Sequence, residues 1–270
     1  MNSLQHGLKV LWLNFGFYCG LIFMTVVGIV CVFLPGYCWL RYARGFDSGE
    51  ATRYLIWLYG RAWAKLLAFF VPISLEGLDK PLPEPCIFVS NHQSFFDTYC
   101  FGFMRYFNIV FAVRSWPFRI PFYSPYMRMA EYLNTEDVAA KDVLLQAKAL
   151  LAKGVSIAVF PEGHRSVTGA LQRFRAGSFY LANLTNTPVV PLCINGTGVF
   201  LKKGGALLLN PSTISFRVLE PIFPEQFAQY GDEAPRLIRQ VAKARIEQAL
   251  FELSNENSLA IVLKNEKESV

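Results

Sequence analysis

The sequence is short of charge. Only 17% of its 270 residues are Asp, Glu, Lys or Arg, against about one quarter in an ordinary soluble domain, while 53% are hydrophobic and 15% aromatic. With a mean hydropathy of +0.30, this excludes a disordered chain or a low-complexity linker. Histidine is scarce as well: there are three, and no His-Glu-x-x-His pair. The six cysteines (Cys19, Cys31, Cys38, Cys86, Cys100, Cys193) contain no Cys-x-x-Cys spacing, so they support neither a zinc knuckle nor a disulfide framework. The bulk of the chain is therefore expected in a reducing compartment. No Lys/Arg-rich run of the nucleic-acid-binding kind is present, and no nucleic-acid partner is expected. Internal repeats with a period of about 20 to 50 residues are missing too, which excludes a solenoid.

What charge there is lies unevenly. Residues 1–71 carry six Lys/Arg (Lys9, Arg41, Arg44, Arg53, Arg61, Lys65) against Asp47 and Glu50, a basic balance beside an apolar segment that favours an anionic membrane surface. Val10 to Leu34 is uncharged for 25 residues and is followed by Pro35, which is expected to close the helix. At about 1.5 Å per residue such a helix can cross about 30 Å of hydrocarbon. Gly36-Tyr37-Cys38 does not form a small-x-small cleavage site, which argues against a signal peptide. Tyr54 to Val71 is rich in aromatics, with Arg61 and Lys65 on one helical stripe. That pattern suits an interfacial helix or a soluble helix packed on the following domain. Arg41 and Arg44 outnumber Lys9, which by the positive-inside rule places the C-terminal bulk on the cytoplasmic side.

After Pro72, short β-rich runs alternate with helical stretches. Strands are expected at 86–90, 108–113, 155–160, 189–194 and 213–219, and helices at 97–105, 138–152, 177–184 and 236–253. The pattern indicates an α/β fold, a mixed, largely parallel sheet flanked by helices and preceded by an N-terminal membrane-binding helical pair. Three segments follow: membrane-associated helices at 1–71, an α/β domain at 72–222, and a C-terminal helix and tail at 223–270 that pack on it.

In open α/β sheets, ligands collect beyond the carboxyl ends of the strands, and two motifs fall there. The first is Asn91-His92-Gln93-Ser94-Phe95-Phe96-Asp97. In a continuous helix His92 and Asp97 would lie about 140° apart, whereas a strand-to-helix turn can bring them together. A carboxylate on one imidazole nitrogen fixes the tautomer and frees the other to take a proton from an alcohol or water. Ser94 and Asp97 also have the spacing of a capping box, so the spacing alone leaves open whether Asp97 serves catalysis or a helix start. The second motif, Phe160-Pro161-Glu162-Gly163-His164-Arg165-Ser166, puts a carboxylate, a glycine and a guanidinium in one loop, suited to orienting an anionic or hydroxylated substrate. A surface turn with a solvated Glu/Arg pair would look the same. His92, Asp97, Glu162 and His164 are also side chains able to ligate metal, but the histidine count argues against a metallohydrolase.

Together the two motifs are specific. His-x4-Asp followed by Phe-Pro-Glu-Gly-x-Arg-Ser resembles the glycerolipid acyltransferase family typified by 1-acylglycerol-3-phosphate O-acyltransferases, over roughly residues 72–220. Leu171 to Gly177 is similar to the family's Phe-Lys-x-Gly segment, and Pro188-Val189-Val190-Pro191-Leu192 to its last block. The resemblance implies His92 as general base, Asp97 as its orienter, and Arg114, Glu162, Gly163 and Arg165 in the acceptor site. It also implies acyl-CoA or acyl-ACP as co-substrate with no other cofactor, a lysolipid acceptor, and membrane phospholipids as surroundings. Residues 8–71 look like the family's N-terminal helical pair. The sequence departs from the family where Arg114 stands for Lys, Ser124 for Gly and His164 for Thr, and where Leu133-Asn134-Thr135 lacks an Arg. Arg114, Arg119, Arg128 or Arg175 can compensate, and the sequence does not select among them. The implied reaction is direct acyl transfer, since there is no Gly-x-Ser-x-Gly elbow to carry a covalent intermediate.

Overall fold

A computed structural model describes residues 3–121, 123–166, 168–204 and 207–268. Helix α1 (Ser3–Val27) runs through a π-helical turn (Gly28–Phe33) into α2 (Leu34–Tyr42), and α3 (Ser48–Phe70), capped by the Asp47 carboxylate, packs back against both. The expectation that Pro35 closes the first helix is corrected by this path. Proline has no N–H and its ring crowds the carbonyl four residues earlier, so an undisturbed α-ladder cannot pass through it. The wider π turn sits just before Pro35 and respaces the ladder instead of ending it. The resulting helix, Gly7–Tyr42, is long and apolar enough to cross a membrane by length and composition. Leu11, Phe15, Ile22, Phe23 and Val30 stand exposed along it, which suits membrane association.

Seven strands form one sheet in the order β1 (Ile73–Glu76), β7 (Ile214–Val218), β6 (Val189–Asn195), β2 (Ile87–Ser90), β5 (Ser156–Val159), β3 (Ile109–Val113), β4 (Leu133–Asn134). All neighbours are parallel except β6 and β7. The carboxyl ends of β6, β2, β5 and β3 therefore lie side by side on one rim. Between the strands come α4 (Asp97–Cys100), α5 (Ser124–Met129), α6 (Ala140–Ala152), α7 (Gly177–Thr185) and α8 (Thr197–Phe200), with α9 (Ala234–Glu268) at the end.

Alternate residues of a strand face opposite sides of a sheet, and the core divides accordingly. Phe88, Ala158, Val190 and Phe216 face one way, toward Phe17 of α1, Trp63 and Leu67 of α3, and Phe101. Ile87, Val89, Ile157 and Val189 face the other, toward α6, α7 and Ile238, Ala242 and Ile246 of α9. Helices α1 and α3 thus share a core with the sheet, the packing reading of Tyr54–Val71, while Leu40 of α2 packs apart from it with Ala51 and Leu55 of α3. Arg53, buried near the start of α3, fastens it to the sheet by donating to Asn108 Oδ1 (2.7 Å), Glu131 Oε2 (2.7 Å) and the Ala130 carbonyl (3.3 Å).

The five expected strands are present within a residue or so, the helices expected at 138–152 and 177–184 lie within two residues of α6 and α7, and the one expected at 236–253 starts two residues earlier and runs on to Glu268 as α9. The helix expected at 97–105 is only the single turn of α4 followed by a 3-10 turn at Phe101–Phe103. The reason is packing: Gly102 lies against the backbone of Gly60 in α3, so close that a Cβ on Gly102 would sit 2.3 Å from the Gly60 carbonyl oxygen. Unexpected were β1, whose four residues are half exposed at the sheet edge, and β4, which has two.

The glycine contact generates a stability prediction. Gly102→Ala must push two backbones apart and should cost about 1 to 3 kcal/mol, the usual toll of overpacking. Gly177→Ala opens on empty space and should stay within about 0.5 kcal/mol of the parent. Thermal unfolding of the detergent-purified chain compares them; equal melting temperatures would remove the α3 contact as a constraint.

Candidate active site

Strand β2 ends at Ser90, and the chain turns through 91–96 before α4 begins at Asp97. The turn does what a helix would not: His92 Nδ1 comes 2.7 Å from Asp97 Oδ2. Asp97 is fully buried, and a buried carboxylate is tolerated only when its oxygens are satisfied. Four donors meet that need. Oδ2 accepts from His92 Nδ1 and from the main-chain N–H groups of Gln93 (2.6 Å) and Ser94 (2.9 Å), while Oδ1 accepts from Thr197 Oγ1 at 2.6 Å. The bond from Ser94 N–H closes the turn that leads into α4, whose N-cap is Phe96, so Asp97 holds both that turn and the histidine. Ser94 Oγ turns away to the Leu201 carbonyl. With Nδ1–H given to the carboxylate, His92 keeps Nε2 as a lone-pair acceptor, and its ring is stacked on Phe160 at 4.2 Å between centroids.

The second motif leaves the adjacent parallel strand β5 and grips the first by its backbone. The His92 N–H donates to Glu162 Oε1 (2.7 Å), and the His92 carbonyl accepts from the Ser166 N–H (2.7 Å). Glu162 Oε2 accepts from the Gln172 N–H at 2.9 Å. Burial raises the Glu162 carboxyl above its ordinary value, and the two N–H bonds, with the nearby His92, oppose that rise. Both carboxylate oxygens are thus engaged on main chain, and Glu162 is placed to hold the loops rather than to face a ligand.

Around the Gly163–Arg165 turn lies a cationic rim. Gly163 has φ +74°, and the Arg175 guanidinium lies so close over it that a Cβ there would meet Arg175 Cζ at 2.8 Å. Arg114, just past the end of β3, donates through Nη1 to His164 Nδ1 (3.0 Å) and through Nε to Glu136. Glu136 also accepts from Ser115 N–H and Oγ; the Ser115 backbone bond, followed by Arg114, lowers its carboxyl to about 2. Its contribution to stability is accordingly present above its ordinary value of 4.5 and fades as pH falls toward 2. Lys203 Nζ donates to the Arg165 carbonyl (2.9 Å), and the Arg165 guanidinium has no carboxylate partner among the described residues. Of the four arginines the sequence left open, Arg114 and Arg175 touch this turn. Arg119 instead faces Asp137, and Arg128 lies over Phe118.

The sequence left one contributor unselected and missed another. Arg175 was only one of four options, and Thr197 was not considered at all. Thr197 lies 100 residues from Asp97 in sequence and reaches it only because β6 runs parallel beside β2. A small hydroxyl residue opening a helix at a strand's carboxyl end was the one available signal. Among the described residues no three His, Cys, Asp or Glu side chains come together to hold a metal ion.

A sequence model of the Acyltransferase family matches residues 73–195, from the first residue of β1 to the last of β6. The chain is 31% identical over 215 residues to a chloroplastic 1-acyl-sn-glycerol-3-phosphate acyltransferase of Arabidopsis thaliana, covering 75% of this chain and 58% of that one. It is 28% identical over 228 residues to a chloroplastic enzyme of the same name from Brassica napus, covering 80% of this chain and 63% of that one. The chain therefore spans about three fifths of the length of these plant relatives. The crystal structure of the 1-acyl-sn-glycerophosphate (LPA) acyltransferase of Thermotoga maritima superposes with a TM-score of 0.70 at 27% identity, covering 94% of this chain and 98% of that one. With a dyad on the turn after β2, flanked by parallel strands on both sides, a family segment that takes in six of the seven strands, and a fold shared along nearly the whole chain, residues 73–195 belong to the Acyltransferase family and the chain is built like a 1-acyl-sn-glycerophosphate acyltransferase.

Proposed function

We propose that this protein transfers a fatty acyl group from an acyl thioester, acyl-CoA or acyl-ACP, to the hydroxyl of a lysophospholipid, with 1-acylglycerol-3-phosphate as acceptor and phosphatidic acid as product. The observation that carries the reading is the dyad, with His92 Nδ1 bound to a fully buried Asp97 and Nε2 left as the base. The printed names of the relatives and of the solved structure support the same acceptor.

In this reading His92 Nε2 takes the acceptor's hydroxyl proton as the oxygen attacks the thioester carbonyl. The new C–O ester bond forms, the C–S bond breaks, and the imidazolium returns the proton to the departing thiolate. Asp97 stabilises the imidazolium in between, Thr197 holds Asp97, and Glu162 fixes the main chain of His92. Arg114, Arg165 and Arg175, around Gly163, receive the acceptor's phosphate. The chemistry calls for no cofactor beyond the thioester. A covalent acyl-enzyme has little support from the residues at hand. Ser94 and Ser166 give their hydroxyls to carbonyls, and burial pushes the thiols of Cys86 and Cys193 up to about 12. The catalytic domain is assigned to the cytoplasmic side, because Arg41 and Arg44 after the apolar segment outnumber Lys9 before it.

Three sets of variants test these roles. His92→Ala and Asp97→Asn should each lower kcat by about 100-fold or more in a chain that still folds; near-normal turnover of folded His92→Ala would place the base elsewhere. Thr197→Val leaves a buried carboxylate oxygen unpaired, a loss of about 1 to 3 kcal/mol, and should lower kcat about tenfold at constant KM, with Thr197→Ser restoring it. A loss matched only by a lower melting temperature would make Thr197 structural. Arg114→Ala and Arg165→Ala should lose about 10- to 150-fold in acceptor kcat/KM on a phosphate-bearing lysolipid, the equivalent of about 1.5 to 3 kcal/mol per charged hydrogen bond, and much less on a phosphate-free one. Equal losses on both would mean that these arginines do not read the phosphate and that another head group is the acceptor.

A further inference from the structure

Between α8 and β7 the chain leaves the core and returns. The neck is a buried pair, Leu201 bridged antiparallel to Leu209, and beyond it Lys202, Lys203, Leu207 and Leu208 all stand exposed, the two leucines at 65% and 53%. Two adjacent leucines held in water on a rigid base need a partner. Three contacts fix where they stand. Asn14 of α1 donates to the Leu209 carbonyl (2.9 Å) and accepts from the Leu209 N–H (2.8 Å). Tyr18, one turn further on, donates to the Leu207 carbonyl. On the other side, Ser94 of the first motif bonds the Leu201 carbonyl, and Lys203 bonds the Arg165 carbonyl of the second. The excursion therefore bridges the apolar helix and the cationic rim.

Helical geometry shows what lies beside it. At about 100° per residue, Asn14 and Tyr18 occupy one edge of α1, and Leu11, Ile22 and Phe15 follow at about 60° to 100° from Asn14. Those three are exposed, so the leucines continue the uncovered apolar face of α1, while Lys203, bonded to the Arg165 carbonyl, lies on the side toward the site and Lys202 is exposed next to it in the chain. Apolar side chains at one level with ammonium groups beside them match acyl chains below and phosphates above.

We propose that Leu207 and Leu208 form a second membrane-inserting element, which dips into the acyl region of an anionic phospholipid bilayer beside α1 while Lys202 and Lys203 meet its phosphates. It sets the cationic rim and the dyad at headgroup level, where a lipid acceptor arrives sideways from the bilayer.

The test uses the full chain reconstituted in vesicles of phosphatidylcholine and phosphatidylglycerol, with the exposed cysteines Cys19, Cys31 and Cys38 replaced by alanine. Leu207→Cys and Leu208→Cys are each labelled with an environment-sensitive fluorophore, with Leu145→Cys on α6 as an exposed apolar reference. Insertion predicts blue-shifted emission at 207 and 208, at least twofold quenching by doxyl-labelled lipid, and protection from aqueous iodide, with the reverse at 145. Iodide quenching at 207 and 208 equal to that at 145, without quenching by doxyl lipid, overturns the proposal and leaves the leucines to a protein partner. The label reports position alone, so its result stands apart from acyl transfer: an inactive but inserted chain would bring down the proposed reaction and not this surface.

Discussion

The structure depends on satisfying one carboxylate, Asp97, that is shut off from solvent. A fully buried Asp97 is costly unless donors surround it, and the four that do come from two separate pieces of chain: the turn after β2, which gives the His92 ring and two main-chain amides, and the start of α8 after β6. Parallel pairing of β2 with β6 is what delivers the second piece. Satisfying the carboxylate also fixes the tautomer and direction of His92, so fold stability and reactivity rest on the same bonds. Strand β5, on the other flank of β2, adds Glu162 and Ser166, which bind both main-chain polar groups of His92. The histidine is thereby held from three adjacent parallel strands.

How much of this the sequence disclosed depended on range. Motifs on contiguous residues were legible, because strand-then-turn spacing and residue chemistry are local facts. Asn91–Asp97 and Phe160–Ser166 were placed at strand ends, and the structure sets them side by side. Contacts between distant residues were not legible: the bond from Thr197 to Asp97 was not foreseen, nor were the two main-chain amides that the Glu162 oxygens accept from. The choice among Arg114, Arg119, Arg128 and Arg175 likewise waited on which of them the sheet carries to Gly163.

The helical elements failed for a related reason. Pro35 is a reliable helix stop when the ladder is strictly α, and here a π turn lets the helix pass. The stretch at 97–105 has helical composition, yet Gly102 must lie flat against Gly60, and contact with α3 overrides local preference. In the second case the element's extent was decided by a neighbouring helix, and in the first by a change of helical pitch that composition does not reveal.

One further consequence follows from Phe17. It is fully buried and meets Phe96, Phe200 and Trp63 edge-on, and Phe96 is the residue directly before Asp97. The apolar N-terminal helix is consequently no tether that could be cut away or lengthened. Removing it would strip one face of the sheet bare next to the dyad. No linker separates the apolar helix from the sheet, so His92 keeps one fixed position relative to that helix.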